Sequence, residues 1–492
     1  MKTTRFDRRS FLKTSGFGVS AFYIAKTSWA QSSPGDTLNT AVIGVNGRGR
    51  SHIDATLSNK HKSVRLSAIC DVDAKVLSQR AADLKKRKVD VTTYSDMRKL
   101  FENKDIDIIT VATPNHWHSL AAIWAVQAGK DVYCEKPVSH NVWEGRQLVK
   151  AARKYKRIVQ TGTQSRSSDG LQAAVKWIHE GGLGKIEIAR GLCYKSRPSI
   201  GHVDAPVPIP EYIDYDLWSG PAPLVPSTRN NPKKGPVHYD WHWIWNYGNG
   251  DLGNQGIHQM DIARWFLGEK RLSPRVWSLG GRVGYVDDGE TPNTQIVYHD
   301  YKSAPLIFEV RGLPETKGGK DMPKYMGAGV GVILHCEDGY VSIPSYTSAN
   351  VFDKAGKPIR EFKSKIQGTD AHFANFIDAV RSRKHQDLNA DIEDGHISSA
   401  LCHTGNISYR LGKQASPQAL AEFVKGERGG SETLERTLEH LAKNEVDISK
   451  EKLVLGPALE MNPKTERFPG NEAANALLTR DYRKPYVVPE NI

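Results

Sequence analysis

The chain has 492 residues, of which 39% are hydrophobic and 25% charged, and this length and composition suit a globular protein of two domains. Its formal net charge is +13 at pH 7, but the lysines and arginines are scattered and no nucleic-acid-binding motif accompanies them, which argues against a nucleic-acid partner. Five widely spaced cysteines, an odd number, exclude a disulfide framework.

Residues 1–30 have the pattern of a twin-arginine export signal. Arg8-Arg9 precedes a mildly apolar run, Thr14 to Ala25, and Ser28-Trp29-Ala30 fits the small-x-small cleavage pattern. The run is too short and too weakly apolar to span a bilayer, and no later segment has the pattern of a membrane span. These residues predict export to the periplasm, or otherwise out of the cytoplasm, without membrane insertion. A chance basic N-terminus on a cytoplasmic protein is the alternative.

Residues 36–160 alternate between short apolar runs and helix-like segments. The predicted strands are Thr40–Ile43, Val64–Cys70, Asp105–Ala112 and Asp131–Cys134. The predicted helices are Asp73–Lys86, Ser95–Glu102, His116–Ala128 and Trp143–Tyr155. This alternation predicts a parallel sheet with helices on both faces, the α/β architecture of a Rossmann domain.

A glycine-rich turn follows the first predicted strand. It reads Gly44-Val45-Asn46-Gly47-Arg48-Gly49, and Asn46 stands where dinucleotide-binding turns have their second glycine. Small residues let the backbone approach a pyrophosphate, and asparagine tolerates unusual backbone angles. Asp71, about twenty residues further on, would bond the ribose hydroxyls and repel a 2′-phosphate. We therefore predict NAD as cofactor; Lys75 keeps NADP open, and an ordinary strand-to-helix turn is the alternative.

Two further motifs stand at the carboxyl ends of predicted parallel strands, where open α/β sheets bind their ligands. They are Thr113-Pro114-Asn115 and Glu135-Lys136-Pro137. Lys136 in such a position could hydrogen-bond a substrate hydroxyl and stabilise the alkoxide as hydride leaves. A surface lysine after a strand is the alternative interpretation.

From about residue 161 the pattern changes to a helix, Leu171–Glu180, followed mainly by strands. The predicted strands are Ile186–Tyr194, Arg275–Val283, Thr294–Tyr301, Leu306–Arg311, Val330–Cys336 and Tyr340–Ile343. They predict an α+β domain over residues 161–412 with a mainly antiparallel sheet. Residues 196–239 are proline-rich and without periodicity, a length uncommon for a loop unless it is functional or disordered. Residues 413–492 are polar and predict a peripheral C-terminal extension.

The chain resembles the Gfo/Idh/MocA family (glucose–fructose oxidoreductase, inositol dehydrogenase and relatives) over roughly residues 38 to 412. The motifs that carry the likeness are the glycine turn, Thr113–His118, Glu135-Lys136-Pro137, Gly256–Asp261 and Trp265–Gly268. The resemblance implies a Rossmann domain followed by an open-faced sheet domain, with the substrate held at the nicotinamide between them. It implies Lys136 as a catalytic residue and His258 as the acid/base. Because open sheet faces in this family often associate, it also implies a homo-oligomer, a dimer or tetramer.

One position departs from the family pattern. Many relatives carry an aspartate four residues before the histidine, where this chain has Asn254. An amide can orient the imidazole but cannot stabilise an imidazolium as a carboxylate would. This puts a simple Lys-Asp-His relay in doubt. Asp261, three residues after His258, shares a helical face with it.

An aromatic segment, His238 to Tyr247, immediately precedes this helix. Tryptophan and tyrosine faces stack on the C–H-rich faces of sugars, so the segment predicts a carbohydrate contact; a core aromatic patch is one alternative. A metal site at His238, Asp240 and His242 is another, but no further strong ligand is evident nearby, so we predict no metal.

The predicted site therefore has three sets of residues. The catalytic set is Lys136, His258 and Asn254. The cofactor set is Gly44, Asn46, Gly47, Arg48, Gly49, Asp71, Thr113, Pro114, Asn115, His118, Glu135, Lys136 and, by family analogy, Gln164. The substrate set is Arg166 (also by analogy), Trp241, Trp245, Tyr247 and Asp261.

These residues predict an exported NAD(P)-dependent oxidoreductase acting on a secondary hydroxyl of a sugar, glycoside or cyclitol. A redox-neutral NAD-dependent glycosidase or lyase, working through a 3-keto intermediate, is the first alternative. A non-catalytic sugar-binding module is the second. Because no pool of free nicotinamide exists outside the cytoplasm, export predicts that the cofactor is tightly bound and recycled on the protein.

Overall fold

A six-stranded parallel sheet covered by helices forms the N-terminal part of the fold. The computed structural model describes residues 36–59, 62–229, 231, 233–366 and 368–492, so the predicted signal lies outside the described residues. The strands are β1 (Leu38–Ile43), β2 (Val64–Cys70), β3 (Thr92–Tyr94), β4 (Ile108–Val111), β5 (Asp131–Cys134) and β6 (Val159–Thr161). The helices are α1 (Gly49–Ser58), α2 (Ala74–Lys86), α3 (Met97–Glu102), α4 (Asn115–Gln127) and α5 (Val142–Lys154). All neighbouring strands are parallel, in the order β3-β2-β1-β4-β5-β6.

Alternate side chains of the central strand β1 fill two separate cores. Ala41 and Ile43 pack in one apolar cluster, and Val42 packs in another with Ile53 of α1. Burial on both faces explains why such strands are apolar throughout. The predicted α/β architecture is confirmed, and β2 and β5 have the predicted bounds. Helix α1 and strand β3 were not predicted, because α1 begins inside the glycine turn and β3 is three residues long and largely exposed.

An eleven-stranded sheet forms the second part of the fold. Its strands are β7 (Ile186–Tyr194), β8 (Arg275–Gly281), β9 (Thr294–His299), β10 (Leu306–Arg311), β11 (Val330–Cys336), β12 (Gly339–Ile343), β13 (Ser348–Asp353), β14 (Pro358–Lys363), β15 (Lys413–Gln414), β16 (Val454–Leu455) and β17 (Leu459–Glu460). The helices are α6 (Asp169–His179), α7 (Tyr215–Ser219), α8 (Gly250–Asn254), α9 (Gly256–Leu267), α10 (Gly368–Ser382), α11 (Ile392–Arg410), α12 (Pro417–Val424), α13 (Gly430–Lys443) and α14 (Glu472–Ala476). Short 3-10 helices lie at Gln164–Ser167, Asp240–Trp243 and His385–Asp387.

The strand order in this sheet is β14-β13-β12-β11-β7-β10-β9-β8-β16-β15, with β17 also paired to β8. Only the β7–β10 pair is parallel among the described residues; the other neighbours are antiparallel. The predicted mainly antiparallel sheet is confirmed. Helices α9 and α11 pack on one face, where Ile257, Phe266 and Leu401 join Phe308 of β10 in the largest apolar cluster.

The second face of the sheet is covered, rather than open, over strands β7 to β10. Leu420 of α12 and Leu434 and Leu441 of α13 pack against Trp277 and Ile307 of the strands. This corrects the open face implied by the family resemblance. The physical reason is local, because residues spaced at 434, 437 and 441 give α13 one buried stripe that needs an apolar surface. The predicted dimer or tetramer is inferred from an open sheet face, and this covered part of the sheet does not support that inference. The oligomeric state stays a prediction.

Residues 413–492 are built into the molecule more deeply than a peripheral extension. Phe468 is fully buried in the core of the second sheet. Tyr486 and Val488 pack in an apolar cluster of the N-terminal sheet. The polar composition concealed these contacts because the apolar anchors are few and widely spaced.

In the part of the chain that the structure describes, no helix combines the length and apolar character needed to cross a membrane. All five cysteines are buried and free, at positions 70, 134, 193, 336 and 402.

Candidate active site

A cavity of about 840 Å³ lies at the carboxyl ends of β1, β2, β4 and β5. That volume is within the usual range for a small-molecule site, and the position is where parallel sheets bind ligands. Of the predicted cofactor contacts, those that line it are Gly44, Asn46, Gly47, Arg48, Asp71, Thr113, Pro114, Asn115, His118, Glu135 and Lys136. The sequence motifs therefore predict the position of the cavity, because the carboxyl ends of parallel strands lie at the same edge of the sheet.

The glycine turn is shaped by close backbone approaches. Gly44 has φ +83°, and a Cβ there would lie 2.6 Å from the carbonyl oxygen of Ala112. A Cβ on Gly49 would lie 1.9 Å from the carbonyl oxygen of Gly44. Gly47 instead faces open space, with nothing within 4 Å of its Cβ position. Gly44 and Gly49 are thus required by packing. Gly47 leaves room for a ligand beside the N-terminus of α1, a position that suits a pyrophosphate.

Asp71 is fixed beside this turn. Its carboxylate accepts hydrogen bonds from the backbone N–H of Val45 (2.8 Å) and of Asp73 (3.0 Å). Burial raises the pKa of Asp71, although both hydrogen bonds oppose the rise. The carboxylate lines the cavity one strand away from the turn. This arrangement fits the acceptor that a ribose diol requires.

The Thr113-Pro114-Asn115 turn is held by a histidine. Both ring nitrogens of His118 contact backbone carbonyl oxygens, one of Thr113 (2.8 Å) and one of Pro137 (2.5 Å). The side chain is almost fully buried, and desolvation lowers the pKa of His118. His118 therefore joins the two predicted strand-end motifs, a positioning role.

Glu135 connects the glycine turn to the end of β5. Its Oε1 accepts a hydrogen bond from Arg48 Nε (2.7 Å), lies 3.0 Å from His52 Nε2, and accepts a longer one from Gln164 Nε2 (3.4 Å). The positive charge of Arg48 and the contact with His52 hold the pKa of Glu135 well below its usual range, against the effect of burial. Gln164 does not line the cavity, so the structure places it behind Glu135 rather than at a predicted cofactor contact.

Lys136 projects from the end of β5 toward the second domain. Its Nζ donates a hydrogen bond to the backbone carbonyl oxygen of Asn254, at 2.7 Å. Burial lowers the pKa of Lys136 to about 8, while the negative charge of Glu135 opposes this change. Asn254 also lines the cavity, so two of the three predicted catalytic residues meet there. An amine with such a pKa can exchange a proton near neutral pH.

His258, at the start of α9, is half-buried and does not line the cavity, but the charge of Lys136 acts on it. Its ring faces that of Tyr346 with 5.1 Å between centroids. Desolvation, followed by the positive charge of Lys136, holds the pKa of His258 well below its ordinary value. The nearest sequence carboxylate before it, Asp251, is engaged by Arg197 through two hydrogen bonds of 2.8 Å. The lowered pKa of His258 favours the neutral imidazole, which agrees with the absence of a carboxylate at position 254.

Arg166 and Asp261 do not line the cavity. They form a buried ion pair with each other, with Arg166 Nε 2.9 Å from Asp261 Oδ2, and Ser398 Oγ donates to the same carboxylate at 2.7 Å. Their predicted substrate role is corrected to a structural one. The two residues are 95 positions apart in the chain, and nothing in the local sequence indicated that they would pair.

The residues of the aromatic segment lie partly in the wall of the cavity and partly in the protein core. Trp241 lines the cavity and stacks on His242, with 3.6 Å between ring centroids. Trp245 instead lies against the guanidinium of Arg410, and fully buried Tyr247 packs on Trp218. Neither Trp245 nor Tyr247 lines the cavity, so the structure does not place them at the predicted sugar contact.

The alternative metal site is not assembled. His238 contacts Asp73 (3.0 Å), the ring of His242 contacts the carbonyl of Tyr239, and Asp240 accepts hydrogen bonds from Asn231. No group of three or more potential metal ligands comes together in the described part of the chain.

The proline-rich stretch of residues 196–239, hereafter the strap, forms one wall of the cavity. Tyr212, Trp218, Val237, His238 and Tyr239 of the strap all line it. The strap is joined to the N-terminal domain immediately after Asp71: the N–H of Ala74 donates to the carbonyl of Tyr212 (2.9 Å), and that of Asp214 donates to Val72 (3.1 Å). The predicted long loop is thus an ordered wall. Its lining residues other than the aromatic segment were missed, because no motif marks them.

Comparison with known proteins agrees with this geometry. Residues 38–163 match the family model described as the oxidoreductase family, NAD-binding Rossmann fold (GFO_IDH_MocA). Residues 183–299 match the companion model for the C-terminal alpha/beta domain of the oxidoreductase family (GFO_IDH_MocA_C2).

Individual relatives are distant. An inositol 2-dehydrogenase of Salmonella paratyphi B is 28% identical over 161 residues, which are 32% of this chain and 47% of that protein. A glycosyl hydrolase family 109 protein of a Shewanella species is 33% identical over 122 residues, 24% of this chain and 26% of that protein. The chain spans about half the length, or less, of the curated relatives it matches. A levoglucosan dehydrogenase solved with NADH and levoglucosan shares the fold, with a TM-score of 0.54 and 17% identity, over 74% of this chain and 95% of that one.

The fold and the cavity define a two-domain protein with an NAD-binding Rossmann domain whose site opens toward a sheet domain. Residues 38–163 and 183–299 thus match the two domains of the Gfo/Idh/MocA oxidoreductase family.

Proposed function

We propose that the protein is an NAD-dependent oxidoreductase that takes hydride from a secondary hydroxyl of a sugar, glycoside or cyclitol. The observation that carries the proposal is the placement of Lys136, whose pKa is about 8, in the cavity between the glycine turn and Asn254. An inositol dehydrogenase among the relatives and a levoglucosan dehydrogenase among the structural neighbours support this substrate class.

The cofactor would be held by residues already aligned for it. The turn around Gly47 would face the pyrophosphate, and the carboxylate of Asp71 would accept the ribose hydroxyls and disfavour a 2′-phosphate, which favours NAD over NADP. When bound, NAD supplies the hydride acceptor. Neutral Lys136 accepts the proton of the reacting hydroxyl, and the imidazole of His258, with its lowered pKa, is available near it as a hydrogen-bond acceptor.

The strap supports tight retention of the cofactor. Its backbone hydrogen bonds to residues 72–74 and the contact of His238 with Asp73 close the cavity next to Asp71. Retention suits the export that residues 1–30 predict, since a secreted enzyme has to recycle its cofactor. We include export by the twin-arginine pathway in the proposal; a fusion of residues 1–35 to a reporter that is active only after export should be secreted, and Arg8→Lys with Arg9→Lys should abolish secretion.

The direct test uses protein purified without added nucleotide. Mass spectrometry should detect bound nicotinamide dinucleotide, and a panel of sugars and cyclitols should reduce it in a single turnover. Lys136→Met should lower the reduction rate by about two orders of magnitude or more while the cofactor stays bound, since proton transfer contributes about that much. The control Lys104→Met, at an exposed site, should behave as the unaltered protein. Full activity of Lys136→Met would refute the assignment.

A redox-neutral glycosidase is the second candidate, and the match to a glycosyl hydrolase family 109 protein favours it. In this cycle oxidation at C3 acidifies the C2 proton, the aglycone is eliminated, water adds, and the hydride returns. The base that would remove the C2 proton is again Lys136. Incubation of a glycoside panel in deuterated water separates the two candidates: deuterium at C2 of a released sugar supports the glycosidase, and cofactor reduction without cleavage supports the dehydrogenase.

A further inference from the structure

A second lysine stands beside the end of the cavity that Lys136 and Asn254 line, although it does not line the cavity itself. Lys195 directly follows β7 and is half-buried. Its Nζ donates a hydrogen bond to Gln255 Oε1 at 2.9 Å. Gln255 is the residue after Asn254, whose carbonyl oxygen holds Lys136. Two ammonium groups are therefore anchored on adjacent residues of the same α8–α9 turn.

Lys195 also belongs to the group of residues around His258. The amide of Gln255 contacts the hydroxyl of Tyr346, whose ring faces His258. The positive charge of Lys195 contributes to lowering the pKa of both Lys136 and His258, so the three groups share one electrostatic environment. Lys195 was not among the residues that the sequence singled out, because it lies at the start of a segment without any motif.

The carboxylates nearest to these lysines are already paired with other cations. Glu135 is engaged by Arg48 and His52, and Asp251 is engaged by Arg197. Among the described residues, no carboxylate lies within 4 Å of the Nζ of Lys136 or Lys195. The substitution of Asn254 for an acidic residue removes a further negative charge. Lys136 at the cavity and Lys195 beside it therefore have no carboxylate partner from the described part of the protein at ion-pair distance.

We propose that the substrate is an acidic sugar, a uronic acid or a glycoside of one, whose carboxylate pairs with Lys195 while its reacting hydroxyl meets Lys136. This inference rests on the proposed function and names the substrate class. An ammonium has three N–H donors, and Gln255 uses one of those of Lys195, which leaves donors for a carboxylate. Charge-assisted hydrogen bonds of this kind are the stronger ones, and a partly buried cation gains most from a counterion brought by the ligand.

The test compares matched pairs of sugars that differ only in a carboxylate. Purified holoenzyme is titrated with methyl glucuronide and methyl glucoside, and with methyl galacturonide and methyl galactoside, each as both anomers. Binding is measured by calorimetry, and cofactor reduction by the absorbance of reduced nicotinamide. We expect at least one uronide to bind about tenfold or more tightly than its neutral partner, the factor that one charged hydrogen bond supports.

Variants then assign the preference to one side chain. Lys195→Gln should weaken uronide binding by about tenfold to a hundredfold and leave neutral sugars nearly unchanged. Lys195→Arg should keep most of the preference, since it keeps the charge. Lys354→Gln, at an exposed turn of the sheet domain, is the matched control and should change nothing.

Two results would overturn the inference: a panel in which no uronide binds better than its neutral partner, or a preference that survives in Lys195→Gln. The outcome is separable from that of the proposed function. Preferential uronide binding without cofactor reduction would contradict the oxidoreductase and leave the acidic ligand standing. Cofactor reduction by neutral sugars alone would support the oxidoreductase and contradict the acidic substrate.

Discussion

Burial and charge act on Lys136 in opposite directions. Burial lowers the pKa of its amine, and the carboxylate of Glu135 raises it, but Arg48 and His52 already contact that carboxylate. The remaining attraction is too weak to restore the ordinary value. The neutral amine is consequently populated from about pH 8 upward, instead of only near the usual 10.5.

This lowered pKa predicts that the rate of the reaction increases with pH. We expect the rate of sugar-dependent reduction of bound NAD to rise as the pH passes through about 8, because only the neutral amine of Lys136 accepts the hydroxyl proton. Single-turnover kinetics across the pH range measure it. Lys136→Arg keeps the charge without this titration, so its residual rate should lack the rise. A wild-type profile that is flat between pH values on both sides of 8 would contradict the role.

Glu135 offers a prediction on stability and cofactor content. Glu135→Gln leaves Arg48 beside the glycine turn without its buried counterion and should lower the free energy of unfolding by about 1–3 kcal/mol. The turn should loosen, so less cofactor should survive purification. Thermal unfolding and nucleotide content report the two effects. Glu102→Gln, whose partner Lys99 is exposed, is the control, and equal losses in both variants would argue against a special role for Glu135.

At the scale of elements, the strap explains how a long loop without periodicity becomes ordered. It adds backbone hydrogen bonds at the end of β2 and buries Trp218, whose carbonyl oxygen contacts His116 at 2.8 Å. Such a wall lies beside the expected ribose position rather than at the reacting carbon. It therefore affects how long the cofactor stays bound more than how it reacts.

His238→Ala tests this separation. The change removes the contact with Asp73, and we expect the dissociation rate of the cofactor to increase about threefold to tenfold, as the loss of one hydrogen bond supports. The rate of the single-turnover hydride step should change little. Displacement of the bound cofactor by an excess of labelled NAD measures the dissociation. His202→Ala, elsewhere in the strap and mostly exposed, should leave that rate unaltered; an equal effect of both variants would mean that the strap is not held by this contact.

At the scale of the whole molecule, the C-terminal residues join the two domains. Helices α12 and α13 cover one face of the large sheet, and Tyr486 and Val488 reach the core of the small one. In this chain the covering surface that the family resemblance assigned to a second subunit is supplied by the chain itself.

Deletion of residues 413–492 should therefore be severe. The truncated chain would expose Trp277, Leu279 and Ile307 together, and we expect aggregation or self-association that the full chain does not show. Light scattering coupled to size-exclusion chromatography distinguishes the species. Deletion of residues 1–35 is the control and should leave the particle size unchanged. A truncated chain with the same subunit count and thermal stability as the full one would show that the cover is dispensable.

The Rossmann domain, the mainly antiparallel second sheet and the position of the cavity could all be predicted from the sequence. These follow from local patterns: alternating apolar runs specify a parallel sheet, glycines specify a tight turn, and strand ends of one sheet meet at one edge. These patterns alone therefore place Asp71, Asn115 and Lys136 at one edge of the sheet.

The side chains that complete the site could be identified only in the folded structure, because they come from distant parts of the chain. The bond from Lys136 to Asn254 spans 118 positions, and the ion pair of Arg166 with Asp261 spans 95. Whether an aromatic ring faces the cavity, as Trp241 does, or the core, as Tyr247 does, depends on which element packs against it. No local pattern encodes such long-range partners, because each residue type is equally compatible with several of them until the chain has folded.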